Sequence, residues 1–437
     1  MATFNPEHHS FGGSMANKTG HRLGLGQGTA LFVGAVLGPG VLALPHLAAA
    51  AAGPSSIIAW AALLALSVPV ALTFAALGAR HPDAGGVATF AARAFGARPA
   101  MVAGFCFYAV VPVGVLAGAM IGADYTASAA GLGRPGTIAM TCALLLAAFA
   151  TNYSGLRLSG RIQLALVTLL TALLLLTILT TAPHLSTANF TPFAPHGGPG
   201  VVHAAGVLFF AFAGWEAASH LSGDFTDPRR LLPRATVLTL AIVGVLYLGL
   251  AVTVTGVLGD RAASSPVPLA LLLEDGIGPT TARPVTAGAA LVLSFVAMNT
   301  YIAGGARLGS ALSRDGALPD ALRTPRRSLG LLAAVTTALT TIVLAADLGL
   351  DPLMRTTAAC LATVTVIGTA AATRLLTGRP RTLARAGTLF TAAILLSCGA
   401  YLAVPACLTL TVLVLTRRTT PPTNSSPIRP SALSSRR

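Results

Sequence analysis

The chain has 437 residues, of which 54% are hydrophobic and only 9% charged, and its mean hydropathy is +0.76. A soluble domain carries about 25% charged residues, so this composition excludes a single soluble domain, and the long apolar runs exclude disorder for most of the chain. The net charge of +15 comes from arginines that lie singly or in pairs between apolar runs, without a nucleic-acid-binding motif, so we expect a membrane protein with no nucleic-acid partner.

Apolar runs predict a polar tail at residues 1–24, a transmembrane domain at residues 25–416 and a second polar tail at residues 417–437. A membrane-spanning helix needs about 20 apolar residues, and runs bounded by Arg, Gly or Pro predict twelve spans. They lie at about Gly28–Ala51, Ile57–Leu77, Met101–Ala129, Thr137–Asn152, Ile162–Thr181, Val201–Leu221, Ala235–Leu258, Val285–Leu308, Leu331–Leu348, Leu353–Leu376, Ala386–Tyr401 and Val404–Leu415. Because many spans follow the first one, we interpret it as a transmembrane helix rather than as a cleaved signal peptide.

The distribution of Lys and Arg predicts the orientation of the spans. If the N-terminus is cytoplasmic, 24 of the 28 basic residues fall in segments on the cytoplasmic side. The other four are Arg134, Arg261, Arg283 and Arg355. Cytoplasmic loops of membrane proteins carry an excess of Lys and Arg, and an omitted span would scramble this alternation. The pattern therefore predicts twelve spans, with both termini on the cytoplasmic side of the plasma membrane.

Two predicted spans contain residues that interrupt a helix near the middle of the membrane. In span 1, Gly38, Pro39 and Gly40 follow one another, and both residue types disfavour a continuous helix. Span 6 carries a weaker signal at Ala213 and Gly214. A kinked packing helix is the alternative explanation of either signal alone. Breaks five spans apart instead predict a five-plus-five inverted repeat, the LeuT-like fold, with substrate bound where the broken helices meet.

These breaks would expose backbone groups at the depth of the substrate. A half-helix that begins at Gly40 presents free N–H groups to a carboxylate. The unwound carbonyls of Leu37–Gly38 and Phe210–Ala213 can accept hydrogen bonds from an ammonium group. A zwitterionic amino acid satisfies both kinds of group at once.

Few ionisable residues lie inside the predicted spans. Glu216 lies in the inner half of span 6, where it either carries a coupling proton or makes a structural hydrogen bond. Asp124 and His46 lie toward the outer ends of spans 3 and 1, and we interpret them as interfacial. Span 5 has neither Lys nor a carboxylate, and the choice between sodium and proton stays open. The five cysteines lie in apolar runs without a CxxC pair, so we expect no disulfide, metal site or cofactor.

Four motifs in chain order resemble the amino acid–polyamine–organocation (APC) transporter superfamily. They are GPGVLALP at Gly38–Pro45, HPDAGGVATFAARAFG at His81–Gly96, FAFAGWEAASHLSGDFTDPRRLLPRA at Phe210–Ala235 and ARLGSALSRDGALP at Ala306–Pro319. The resemblance extends over about Leu23–Leu415, although Asp224 stands where the family usually has Glu. The AGGVATF loop and the segment Val110–Leu116 are most similar to bacterial exporters of methionine and branched-chain amino acids.

The resemblance implies a ten-helix inverted repeat with two extra C-terminal helices, and proton-driven efflux of neutral, hydrophobic amino acids. It implies substrate contacts at Val36, Gly38, Pro39, Gly40, Phe210, Ala211, Phe212, Ala213, Gly214 and Tyr301, and a coupling role for Glu216. Pro39 stands where the family commonly has Ser or Thr, so one hydroxyl contact is missing. Phe210, Phe212 and Tyr301 could line a pocket for Leu, Ile, Val or Met, with helix packing as the alternative for each ring.

A transporter explains these features better than an enzyme, a channel or a receptor. An enzyme should show clustered His, Asp or Cys residues, or a metal-binding motif such as HExxH, and the sequence contains neither. It also contains no selectivity filter, sensory domain or Walker A motif. We therefore predict a secondary active transporter of amino acids in the lipid bilayer, with protons as the expected coupling ion. The direction of transport, the preferred amino acid and the oligomeric state stay open, and an uptake permease or exchanger is the alternative.

Overall fold

The computed structural model describes residues 23–81, 86–155, 160–212, 214–215, 222 and 225–418. These residues form helices, and the only strand-like pairing among them is one isolated bridge between Leu23 and Phe225. The helices are α1 Leu25–Val36, α2 Gly40–Ala52, α3 Ser56–Arg80, α4 Gly86–Phe95, α5 Ala97–Ala129, α6 Arg134–Tyr153, α7 Gly160–Thr181, α8 Gly197–Phe212, α9 Pro228–Thr253, α10 Arg261–Ser264, α11 Pro268–Ile277, α12 Pro279–Arg314, α13 Pro325–Ala345, α14 Leu350–Leu375, α15 Arg379–Ser397 and α16 Ala403–Arg418.

Eight stretches of the described chain are long and apolar enough to cross a membrane. They are Gly40–Arg80, Ala97–Ala129, Arg134–Tyr153, Leu164–His184, Pro228–Leu258, Pro279–Arg314, Pro325–Ala345 and Leu350–Leu375. The pair α15 and α16 qualifies when taken together and is bent by 111°. The shorter apolar helices α1 and α8 belong to the predicted spans 1 and 6. An all-helical, multi-pass membrane protein is thus confirmed, whereas the twelve-span count and the inverted repeat stay predictions.

Helices α5 and α14 form the centre of the bundle. Within their apolar windows, 67% of the α5 residues and 61% of the α14 residues are buried inside the protein, against 22% for α6. Helix α5 packs along α12 and α14, and α9 packs along α3. The helices that carry the two predicted breaks also touch each other, because α2 packs against α8.

Buried threonines fit into these apolar helices because their hydroxyl groups bond to the helix itself. Thr236 donates to the Leu232 carbonyl at 2.9 Å, and Thr357 donates to the Leu353 carbonyl at 2.8 Å. In each pair the acceptor lies one helical turn earlier, so the polar group is satisfied without a partner on another helix. The many threonines of the spans therefore need no aqueous surroundings.

Several predicted boundaries differ from the structure. Helix α12 extends well beyond the predicted Val285–Leu308, and α15 begins at Arg379 rather than at Ala386. The predicted spans end at arginine residues, whereas the helices continue past them. The aliphatic stem of an arginine can lie along a helix while its charge stays at the membrane surface. The predicted loop Gly259–Pro284 contains the helices α10 and α11. The tails lie outside the described residues, apart from the few positions next to α1 and α16.

Candidate functional site

The helix of span 1 is interrupted where the sequence predicts. Helix α1 ends at Val36 and α2 begins at Gly40, so the three residues between them are not helical. The Gly38 N–H donates to the Val36 carbonyl at 2.9 Å, and the Val41 N–H donates to the Gly38 carbonyl at 3.2 Å. This tight turn separates the two half-helices by three residues, Leu37, Gly38 and Pro39.

Several backbone groups beside the turn have no backbone partner among the described residues. Among the described residues, neither the Gly40 N–H nor the Leu37 carbonyl makes a backbone hydrogen bond. The first belongs to the positive N-terminal end of α2 and the second to the negative C-terminal end of α1. Apart from the chain neighbours of Gly38, no atom of the described residues lies within 4 Å of the position that a Cβ would take there, so the described chain leaves the space beside the turn open. The break therefore offers both charges of a zwitterion a complementary backbone group.

Phe210 lies directly over the start of α2. A Cβ on Gly40 would be 2.6 Å from Phe210 Cε1 and 2.7 Å from its Cδ1, so the ring occupies the space that a side chain at Gly40 would need. The ring is half-buried. Phe210 and Gly40, which were predicted as site residues from separate spans, are thus in contact.

The break of span 6 adjoins the break of span 1. Helix α8 ends at Phe212, and Gly214 has a φ of 120°, which favours glycine strongly. A Cβ on Gly214 would be 2.7 Å from the Ala35 carbonyl oxygen, so the two backbones approach each other closely. The predicted site residues Ala213 and Glu216, and the family position Asp224, lie outside the described residues.

Tyr247 of α9 connects the two breaks, and the sequence analysis missed it. Its hydroxyl group lies 3.1 Å from the Val36 carbonyl and 3.1 Å from the Ala211 carbonyl. Val36 and Ala211, both predicted as site residues, contribute their carbonyl groups here. A buried tyrosine in the middle of an apolar span needs a hydrogen-bond partner. That requirement is the signal by which Tyr247 could have been found.

The ring of Phe212 points into an aromatic cluster rather than toward the open space at Gly38. It lies 5.4 Å from the Tyr247 ring and 6.1 Å from the Trp60 ring, between ring centroids. Phe212 is only 2% exposed. Of the two predicted aromatic residues of α8, Phe210 therefore lies at the break of span 1, whereas Phe212 packs against Tyr247 and Trp60.

Helices α5 and α12 form the opposite wall. A Cβ on Gly118 of α5 would be 3.3 Å from Met298 Cγ and 3.9 Å from Pro39 Cγ, so the absence of a side chain lets α5, α12 and the turn converge. Tyr301 is half-buried and lies one helical turn after Met298, on the same face of α12. Gly118 and Met298 were not predicted. The spacing of Gly114, Gly118 and Gly122 by four residues, typical of close helix packing, could have indicated the first.

A cavity of about 500 Å³ lies at the end of the bundle that carries α10 and α11. Its lining includes His46, Asp124, Asp347 and Asp351. Asp347 is paired with Arg134 at 2.6 Å and Asp351 with Arg355 at 2.8 Å. Asp124 has no hydrogen bond or ion pair with another described residue. His46 and Asp124, which we interpreted as interfacial, thus line one cavity.

Two hydrogen-bonded links join α2 to the short helices beside this cavity. The His46 ring nitrogen Nδ1 lies 3.0 Å from the Ala262 carbonyl of α10. Tyr125 donates to the Leu42 carbonyl at 2.8 Å, and its oxygen accepts the Leu269 N–H of α11 at 3.2 Å. The half-helix that begins at Gly40 is therefore attached to both loop helices.

Comparison with known proteins identifies the family. A family model described as amino acid permease matches residues 23–428. The L-methionine/branched-chain amino acid exporter YjeH of Escherichia coli is 31% identical over 86% of this chain and 91% of its own length. The uncharacterized amino acid permease YecA of Bacillus subtilis is 32% identical over 71% of this chain and 74% of its own length.

The fold agrees with this relationship. A variant of the manganese transporter of Eremococcus coleocola superposes with a TM-score of 0.53 at 16% sequence identity, and covers 91% of this chain and 95% of that structure. At this identity the likeness concerns the fold alone. The family match extends over nearly the whole described chain and includes both breaks. The chain therefore belongs to the amino acid permease family within the APC superfamily, and it is an integral membrane transporter of amino acids rather than an enzyme.

Proposed function

We propose that this chain is a secondary active transporter that exports neutral, hydrophobic amino acids across the plasma membrane in exchange for protons. The observation that carries the proposal concerns two backbone groups at the break of span 1, the Gly40 N–H and the Leu37 carbonyl, which have no backbone partner among the described residues. The Gly40 N–H suits a substrate carboxylate and the Leu37 carbonyl suits an ammonium group. The open space beside Gly38 lies next to both groups.

Apolar side chains lie beside the break and favour a hydrophobic substrate, since Phe210 lies against Gly40 and Pro39 approaches Gly118. We propose that Phe210 acts as the aromatic gate over Gly40, and that Tyr301 and Met298 line the pocket for the substrate side chain. Pro39 adds an apolar wall where the family commonly has a hydroxyl group. A thioether such as Met298 adapts to differently shaped apolar groups, which fits Leu, Ile, Val and Met as alternative substrates.

The relatives support this choice of substrate. The name of the Escherichia coli relative gives methionine and branched-chain amino acids as its exported substrates. The branched-chain amino acid permease BcaP of Bacillus subtilis is 28% identical over 67% of this chain. Its name supports branched-chain amino acids as substrates. Because that name gives a permease rather than an exporter, uptake is the second candidate function of this chain.

Counterflow in proteoliposomes tests the substrate. Vesicles preloaded with unlabelled leucine should accumulate labelled Leu, Ile, Val and Met, whereas lysine and glutamate should not exchange. Gly38→Leu would fill the open space beside the break and should abolish counterflow. Gly288→Leu on α12, also with no atom within 4 Å of its Cβ position, is the matched control. Equal counterflow in both variants would move the site away from Gly38.

Everted membrane vesicles test direction and coupling. Their lumen corresponds to the outside of the cell, so a proton-coupled exporter accumulates labelled leucine there when the lumen is acidified. An uptake permease accumulates leucine in right-side-out vesicles instead. We propose Glu216 as the group that carries the proton, and we propose that both termini lie in the cytoplasm, which the positive-inside pattern supports.

A further inference from the structure

We propose that Tyr247 is a positioning residue whose single hydroxyl proton alternates between the carbonyls of Val36 and Ala211 while the two broken helices move. The inference rests on the proposed function, because it assigns Tyr247 to the transport cycle of that same site. Its starting point is the position of one hydroxyl group between the ends of two half-helices.

The two acceptors are carbonyls that a continuous helix would have satisfied. Val36 is the last residue of α1, and Ala211 is next to the last residue of α8. The last carbonyls of a helix have no partner within it and carry the negative end of the helix dipole. The Val36 carbonyl already accepts the Gly38 N–H at 2.9 Å, so Tyr247 adds a second donor to it from a third helix, and the same hydroxyl group donates to the Ala211 carbonyl.

One hydroxyl group cannot fully satisfy both carbonyls. A tyrosine hydroxyl has a single proton to donate, and both oxygen–oxygen distances are 3.1 Å. This distance is longer than the 2.7–2.8 Å that is usual for O–H···O bonds, as expected when a proton is shared. If either half-helix moves away, the proton can bond fully to the carbonyl that remains.

The ring of Tyr247 is held in place while the carbonyls can move. It is 1% exposed, and its centroid lies 5.0 Å from the Trp60 ring on α3, which is not a broken helix. The Phe212 ring, 5.4 Å away, belongs to α8 itself. The hydroxyl group thus has a fixed position relative to α3 and α9. A half-helix that moves therefore leaves no unsatisfied hydroxyl group behind.

The other deeply buried tyrosines of the described chain are bonded differently. Tyr125 donates to the Leu42 carbonyl and accepts the Leu269 N–H, so donor and acceptor each have their own partner. The Tyr108 hydroxyl lies 3.1 Å from the Ser328 hydroxyl oxygen and 3.5 Å from the carbonyl oxygen of the same residue. Tyr247 differs from both because the two carbonyls that compete for its proton belong to two different broken helices.

Three side chains at position 247 provide a graded test. Tyr247→Phe removes the proton but keeps the ring, and Tyr247→4-aminophenylalanine supplies two N–H protons, one for each carbonyl. The control is Tyr108→Phe, which also removes a buried hydroxyl group but lies away from the breaks. Labelled-leucine counterflow gives KM and maximal rate. Quenching of the fluorescence of Trp60 and Trp215, the two tryptophans of the chain, gives the Kd of leucine.

Tyr247→Phe should raise the KM and Kd of leucine about three- to tenfold, the range expected for loss of one neutral hydrogen bond, while Tyr108→Phe stays within about twofold. The aminophenylalanine variant should bind leucine normally but exchange it more slowly, because neither carbonyl is released. This variant also decides the question if Tyr247→Phe does not fold.

Two results would overturn the inference. One is an unchanged KM in Tyr247→Phe, or an equal change in Tyr108→Phe, together with normal counterflow of the unsubstituted protein. The other is a normal exchange rate in the aminophenylalanine variant. If the unsubstituted protein exchanged no amino acid at all, the proposed function itself would fail, and the inference with it.

Discussion

The contact between Gly40 and Phe210 gives a quantitative prediction. In Gly40→Ala the new Cβ would be 2.6 Å from Phe210 Cε1, whereas ordinary contact begins at 3.4 Å, so the ring has to retreat by about 0.8 Å. Overpacking of this kind costs about 1–3 kcal/mol. The cost falls on the state in which Phe210 covers Gly40, so the population of that state should decrease about 5- to 150-fold. Leucine counterflow, which passes through the covered state, should slow accordingly.

A double-mutant cycle identifies the cause of that loss. Phe210→Leu removes the ring that the new methyl group meets, so Gly40→Ala should cost at least about 1 kcal/mol less in the Phe210→Leu background. Initial counterflow rates of the four proteins, normalised to the amount in the membrane, give the coupling energy. Gly288→Ala, whose Cβ meets no atom within 4 Å, should behave as the unsubstituted protein. If the free-energy effects of Gly40→Ala and Phe210→Leu add to within about 0.5 kcal/mol, the contact between the new methyl group and the ring is not the cause of the loss.

Three further predictions concern the second break, coupling and topology. Gly214→Ala should lower the thermal unfolding temperature in detergent more than Gly316→Ala does, because both have positive φ but only Gly214 meets a backbone oxygen. An equal decrease in the unfolding temperature of both variants would mean that backbone strain, and not the contact with the Ala35 oxygen, determines the effect. Glu216→Gln should lose pH-driven accumulation while keeping leucine exchange, since glutamine cannot titrate; a variant that keeps both makes Glu216 structural. Reporter fusions after Gly197 and after Arg418 should report the outside and the cytoplasm respectively, and reversal of either contradicts the predicted topology.

The break of span 1 could be predicted because its cause is local. Three consecutive residues that disfavour a helix stand inside an apolar run, and no knowledge of the neighbours is needed to expect an interruption there. The contact of Phe210 with Gly40 is only partly local, since the sequence indicated both residues but not their distance. The structure adds the ring position, which decides what a substitution at Gly40 meets.

Other features depend on packing between distant helices and could not be read from the sequence. Whether a buried tyrosine bonds to its own turn or to another helix depends on where the helices cross, so Tyr247 could be suspected but not assigned. The close approach of Met298 to Gly118 likewise depends on where α12 crosses α5. The start of α15 was missed because arginine side chains are compatible with both a loop and the first turns of a helix.

The links from α2 to α10 and α11 have a pharmacological consequence. His46 lies six residues after Gly40, which corresponds to about 9 Å along a helix. A nanobody or small molecule that binds α10 would act on Ala262 and, through its hydrogen bond with His46, on α2, which begins at the proposed substrate-binding break. A ligand that binds the loop between α9 and α12 is therefore expected to restrain the start of α2 from the protein surface, without competing with amino acids for their proposed binding site.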